Sequence, residues 1–113
     1  VLYLASPYSH PSTLIRHYRY VDVRKATAKL MLRGEIVYSP IVHGHSLSVE
    51  RDLPETHEFW MHHCLGMLSR AKRLAVLTLD GWDKSIGVRA EMDWWEANRK
   101  HPVQFIDAGE MLP

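Results

Sequence analysis

The sequence holds a single cysteine, Cys64. One thiol makes no intrachain disulfide and no thiolate zinc site. An excess of one charge is missing too: 14 Lys and Arg stand against 13 Asp and Glu, a net charge of +1. Duplex nucleic acid calls for a clustered basic face, and this balance supplies none. A small anionic ligand needs only a local pocket and stays open. No apolar run approaches about 18 residues, so no membrane-spanning helix is expected. The opening Val1-Leu2-Tyr3-Leu4-Ala5-Ser6 lacks the charged start and long apolar stretch of a secretory signal. A reducing, cytoplasmic setting is therefore expected. Internal repeats and low-complexity tracts are absent.

What remains is the composition of a globular chain. Hydrophobic residues make up 46% and charged residues 24% of 113 positions. That length fits one domain, residues 1–113. Four Trp, five Tyr and two Phe can fill a core.

The elements alternate along the chain. Val1–Ala5 is short and apolar and ends at Ser6-Pro7, as a buried strand does. Pro11 and Ser12 open a long helix that Gly34 closes. Its predicted core stripe is Leu14, Tyr18, Val21, Ala28 and Leu32, widened by Val23, Ala26 and Leu30. Glu35–Ser39 reads as a second strand. Residues 40–55 are polar and punctuated by Gly44 and Pro54, which predicts a long, functional loop. Glu55–Arg70 reads as a helix and Arg73–Leu79 as the clearest buried strand. Asp80-Gly81-Trp82-Asp83 turns the chain into a third helix, capped by Ser85 or Asp83 and running to about Arg99. Pro102–Ile106 reads as a last strand. This order predicts an α/β fold. We expect a flavodoxin-like or Rossmann-like open parallel sheet of four to five strands, with helices on both faces.

In such sheets ligands bind beyond the carboxyl ends of the strands, at the switch point. The segments so selected are Ser6–Ser9, Pro40–His45 and Asp80–Ser85. In the last, the backbone N–H groups of a helix start favour an anion, most simply a phosphate. Ser85 adds a hydroxyl there, Gly87 permits close approach, and Glu91 lies about one and a half turns in. By itself Glu91 would more often be a solvated helix residue. Tyr3 lies within the first strand, while Ser6, Tyr8 and Ser9 offer hydroxyls past its end. Histidines cluster at positions 43, 45, 57, 62 and 63. His43 and His45 suggest two imidazoles for a metal, but the spacing of the others is not His-Glu-x-x-His. A substrate-facing histidine in the loop is the better reading, and His17 and His101 read as surface residues. Among the tryptophans, Trp94 and Trp95 suit packing, and Trp82 is the candidate ligand wall.

With these residues placed, the chain resembles a small member of the nucleoside 2-deoxyribosyltransferase-like superfamily. It is most similar to the bacterial and phage branch that opens with Tyr-Leu-Ala-Ser-Pro-Tyr-Ser-His, here Tyr3–His10. Further markers are Ser39-Pro40-Ile41-Val42-His43, Phe59-Trp60, and Asp80-Gly81-Trp82 followed by Ser85, Gly87 and Glu91. The resemblance covers nearly the whole chain. It implies cleavage or transfer at the N-glycosidic bond of a deoxynucleoside or a nucleoside 5′-monophosphate. Glu91 matches the nucleophile and Tyr3 a tyrosine that orients it. The implied substrate-binding residues are Ser6, Tyr8, Ser9, His43, Asp80, Trp82, Ser85 and Gly87. Ser85 stands where the monophosphate hydrolases carry Ser and the transferases Asp, which favours a phosphorylated substrate. No cofactor and no metal are implied, and the partner is a small nucleoside or nucleotide. A homodimer or larger homo-oligomer is implied as well, which the Trp94–Trp95 pair would suit. One departure matters: Cys64 falls where the superfamily usually has an Asp near the base and sugar. His62, His63 and Asp80 are alternatives for that duty, so the group that protonates the base stays open. Two other readings follow from these residues. One is a nucleotide- or nucleotide-sugar-binding module without turnover; the other is a metal-dependent hydrolase built on His43 and His45.

Overall fold

The computed structural model of the chain describes residues 1–50 and 52–112. Its strands are β1 (Leu2–Ala5), β2 (Val37–Tyr38), β3 (Arg73–Leu77) and β4 (Gln104–Ile106). They form one sheet in the order β2-β1-β3-β4, and every pairing is parallel. The helices are α1 (Thr13–Leu32), α2 (Pro40–Leu47), α3 (His57–Leu68), α4 (Ile86–Asn98) and α5 (Ala108–Met111). This is the expected α/β open parallel sheet in flavodoxin-like order.

Strand alternation sorts the core into two layers. Leu2 and Leu4 of β1, with Ala75 and Leu77 of β3, face Val23, Ala26 and Leu30 of α1. Tyr3 and Ala5, with Leu74 and Val76, face Leu68 of α3 and Val88 and Trp95 of α4. Helices therefore cover both faces, as parallel strands buried on both sides require.

Local chemistry sets the helix ends. Ser12 caps α1 by accepting from the Ile15 N–H, and Thr56 caps α3 through the Phe59 N–H. Of the two cap candidates for α4, Ser85 does the work: its Oγ accepts from the Val88 N–H. Gly34 follows α1 at φ +94°, a left-handed conformation that suits glycine after a helix end.

Two expectations need correction. The first concerns residues 40–55, whose first half is helix rather than loop. Ser39 caps α2 through the Val42 N–H, and Pro40 occupies its first turn. Proline fits there because the first helical N–H groups have no partner anyway. The second concerns the core stripe of α1. Leu14 and Tyr18 are each 58% exposed and Leu32 is 89% exposed, while Val23, Ala26, Thr27 and Leu30 are buried. Rotation about the helix axis explains this: at about 100° per residue the expected stripe lies nearly opposite the face of Val23, Ala26, Thr27 and Leu30, and Ala28 is exposed in mid-helix. A helix of 20 residues runs about 30 Å, whereas the four residues of β1 span about 13 Å. The first turns of α1 also overhang the strand ends. The strands are also shorter than the apolar runs suggest, and α5 was not expected.

Candidate functional site

The chain runs from β1 to β2 on one side and then returns to β3 on the other. The switch point thus lies between β1 and β3. A cleft beyond their carboxyl ends is the expected ligand position in this topology. A cavity of about 1020 Å³ opens there.

Its most unusual lining residue is Glu91, which is only 4% exposed. Glu91 lies on the buried face of α4 with Val88 and Trp95. Tyr3 projects from β1 to the same side of the sheet, and its hydroxyl donates to Glu91 Oε2. Burial pushes the Glu91 carboxyl up to about 7, and the Tyr3 hydrogen bond opposes that rise. Burial, and then the charge of Glu91, push the Tyr3 phenol upward, so it remains a donor. Cys64, on α3, completes the group. Burial first, and then Glu91, push its thiol up to about 11, so the sulfur is protonated at neutral pH. Perturbed, buried titratable groups in a cleft are a recognised signature of functional sites.

The α4 N-terminus forms another wall. Ser85 and Gly87 line the cavity together with Lys84. Ser85 Oγ accepts from Val88, which leaves its own proton free to donate. A side chain at Gly87 would meet nothing closer than 3.8 Å, so packing alone does not demand glycine there. Glycine instead leaves the backbone open to a ligand. Arg16, from the overhanging part of α1, brings a second cation to the rim. Anions favour such a place.

The end of β1 supplies Ser6, Tyr8 and Ser9 to the lining. Ser6 is 5% exposed, and its hydroxyl has no partner among the described residues. A buried unpaired hydroxyl is costly, and a ligand atom in the cavity would satisfy it. Arg19 ties this loop to the turn that follows β3. Its guanidinium donates to the carbonyls of Ser9 at 2.9 Å and Asp80 at 3.3 Å.

Helix α2 closes the cavity. Ile41, Gly44, His45 and Ser48 all line it, at the spacing of one helix face. Trp60 of α3 lies against Gly44: a Cβ there would sit 3.3 Å from Trp60 Cζ3. Glycine thus lets the indole ring become part of the cavity wall.

Six of the expected site residues therefore meet at the cavity: Ser6, Tyr8, Ser9, Ser85, Gly87 and Glu91. Tyr3 reaches it through Glu91. Three others do not line it. His43 is exposed and stacks on His63, with ring centroids 5.4 Å apart. Two positions along a helix are about 200° apart, which turns His43 away from His45. The two imidazoles therefore do not converge on one ion. Among the described residues no cluster of three or more His, Cys, Asp or Glu could hold a metal. Asp80 is exposed and contributes its carbonyl to Arg19. Trp82 sits in a 3-10 turn over Trp82–Lys84 and packs on Phe105 of the β4 edge, at 5.4 Å. Trp60 is the aromatic wall in its place. Lys84 falls within the selected segment Asp80–Ser85 and Trp60 within the Phe59-Trp60 marker, whereas Arg16 belongs to neither. Arg16 and Trp60 lie far along the chain from the strand ends, and only the overhang of α1 and the packing of Gly44 bring them in.

No helix is long and apolar enough to cross a membrane, among the described residues. No curated protein matches the chain. A family model described as a domain of unknown function, DUF1937, matches residues 1–107, and the chain belongs to that family.

Proposed function

We propose that the protein cleaves the N-glycosidic bond of a deoxynucleoside or nucleoside 5′-monophosphate, with Glu91 as nucleophile. The observation that carries this reading is a carboxylate buried at the switch-point cleft, held by a tyrosine and open to a cavity. The resemblance of Tyr3–His10 and of the Asp80–Glu91 segment to the nucleoside 2-deoxyribosyltransferase-like superfamily supports the same reading.

The chemistry has two displacements. A Glu91 carboxylate oxygen attacks the anomeric carbon, the C1′–N bond breaks, and its electron pair leaves with the base. Water or a second base then attacks C1′ and releases Glu91. A carboxylate nucleophile divides one hard step into two easier ones. Tyr3 orients the attacking carboxylate by its hydrogen bond. The α4 N-terminus, Ser85, Lys84 and Arg16 suit a 5′-phosphate, Ser6 a sugar hydroxyl and Trp60 the face of the base. A cytoplasmic homodimer or larger assembly belongs to the same reading, and the exposed Leu14, Tyr18 and Leu32 of α1 suit one.

The second reading is a binding module without turnover. The protonated thiol of Cys64 favours it, since a carboxyl is expected near the base. Base release from a panel of deoxynucleosides, ribonucleotides and deoxynucleoside 5′-monophosphates separates the two. Catalysis predicts free base from the wild type and a loss of at least about 10³-fold in Glu91→Ala. Turnover retained in Glu91→Ala would refute Glu91 as nucleophile. Saturable binding in calorimetry with no base released would favour the module.

A further inference from the structure

Displacement at the anomeric carbon runs in line, so the base departs on the side away from Glu91. A proton donor for that base must stand across the cavity from the nucleophile. Cys64 does not, because it lies in the α3–α4 layer with Tyr3 and beside Glu91. Helix α2 does: its Ile41 and Val42 pack into the opposite layer, with α1. The cavity therefore has Glu91 on one layer and His45 on the other.

His45 is held on two sides. Its Nδ1 is 2.8 Å from the Tyr8 hydroxyl. Its ring stacks on Tyr20, with centroids 3.9 Å apart and planes 17° from parallel. Nε2 has no hydrogen-bond partner among the described residues. Both Tyr8 and His45 line the cavity. We infer that Tyr8 and His45 form a relay that hands a proton to the departing base, a role that rests on the glycosidic reading above.

Burial, and then the charge of His17, lower the His45 imidazole from its ordinary value, which favours its neutral form. In the neutral tautomer that the relay uses, Nδ1 accepts from the Tyr8 hydroxyl and Nε2 carries the hydrogen. As the C1′–N bond breaks, the Nε2 proton passes to the base nitrogen and the Tyr8 proton passes to Nδ1. The base leaves neutral and Tyr8 is left as phenolate. A phenol and a nucleobase ring N–H are acids of similar strength, so the transfer runs nearly level. In the second displacement water attacks C1′ and gives its proton to Nε2. The Nδ1 proton then returns to Tyr8, and the cycle closes without any other acid. Tyr20 fixes the ring plane, so that Nε2 holds its direction while the protons move.

The test compares two leaving groups. One is guanine in deoxyguanosine 5′-monophosphate, alongside the other three deoxynucleoside 5′-monophosphates. The other is 7-methylguanine in 7-methyl-2′-deoxyguanosine 5′-monophosphate, which departs without taking up a proton. Base release is measured in a single turnover, with enzyme in excess over substrate so that only the first displacement is read, for the wild type, Tyr8→Phe, His45→Ala and the double variant. Tyr8→Phe keeps the ring, and thermal melting checks that each variant is folded. Loss of a general acid should cost about 10²–10⁴-fold on the ordinary bases. On the methylated substrate both single variants should stay within about 5-fold of the wild type. Partners acting as one unit are not additive, so the double variant should be no slower than either single one. Equal losses on both leaving groups would overturn the relay and leave the glycosidic reading standing. A wild type that releases no base from any of these substrates would overturn both.

Discussion

The two faces of the sheet are built from the same strands and do different work. On the α1 side, Leu2, Leu4, Ala75 and Leu77 meet Val23, Ala26 and Leu30, and the buried Thr27 hydroxyl is satisfied by the Val23 carbonyl of its own helix. On the α3–α4 side the same alternation buries Tyr3 and Glu91 among Val76, Val88 and Trp95, with Cys64 packed against them. A polar group placed in a core costs stability unless it is well partnered. Among the described residues Glu91 has Tyr3 as its one side-chain hydrogen-bond partner, and its carboxyl is displaced to about 7. One face is therefore organised for stability and the other gives up some stability to hold a reactive carboxylate.

The largest effect on folding should come from the apolar face. Leu77 is fully buried there, and Leu77→Ala should cost about 2–5 kcal/mol by transfer and cavity terms. Denaturant titration measures the loss, and the folded fraction should keep its specific activity. A large change in that activity would mean that the two faces are not separable.

A smaller effect, of opposite sign, should come from Glu91→Gln. The folded-state value of about 7 lies above the ordinary 4.5, so the folded protein holds the proton more tightly. The stability this gives is full below pH 4.5 and lost as pH rises through about 7. The displacement corresponds to about 3 kcal/mol. Glutamine does not titrate, so the variant should gain on the wild type across that window and be the more stable protein at pH 8. Melting curves of both proteins from pH 4 to pH 8 check this. A constant difference between them would show that Glu91 is not displaced.

The smallest effect should come from Ser85→Ala, which removes the α4 cap for about 1 kcal/mol. A larger rise in KM for a 5′-monophosphate than for the free nucleoside would show that the hydroxyl also meets phosphate.

The legible parts of this molecule are those where one local rule acts alone. The apolar runs at Leu2–Ala5 and Arg73–Leu77 could only be buried strands, and their parallel pairing fixed the switch point. From there Ser6 and Ser85 followed by position, whereas Glu91 was legible through the family resemblance. Helix α2 was hidden because Gly44 and the histidines look like loop, although Ser39-Pro40 already carried a cap and a first-turn proline. The stripe on α1 misled because the helix carries apolar residues on two nearly opposite faces, and periodicity does not say which one meets the sheet. Leu14 and Leu32 sit on the outer one. Trp60 was marked by the resemblance alone, and its place in the cavity wall was not legible because it depends on the missing side chain of Gly44, distant in sequence.

The central claim is that Glu91 becomes covalently bound to a sugar. A 2′-fluoro-arabinosyl nucleoside 5′-monophosphate slows the second displacement more than release of the base, so the intermediate should accumulate. Intact-protein mass spectrometry should then show one added fluorosugar phosphate, and peptide mapping should place it on Glu91. Base released with no adduct, or an adduct on any other residue, would contradict the account.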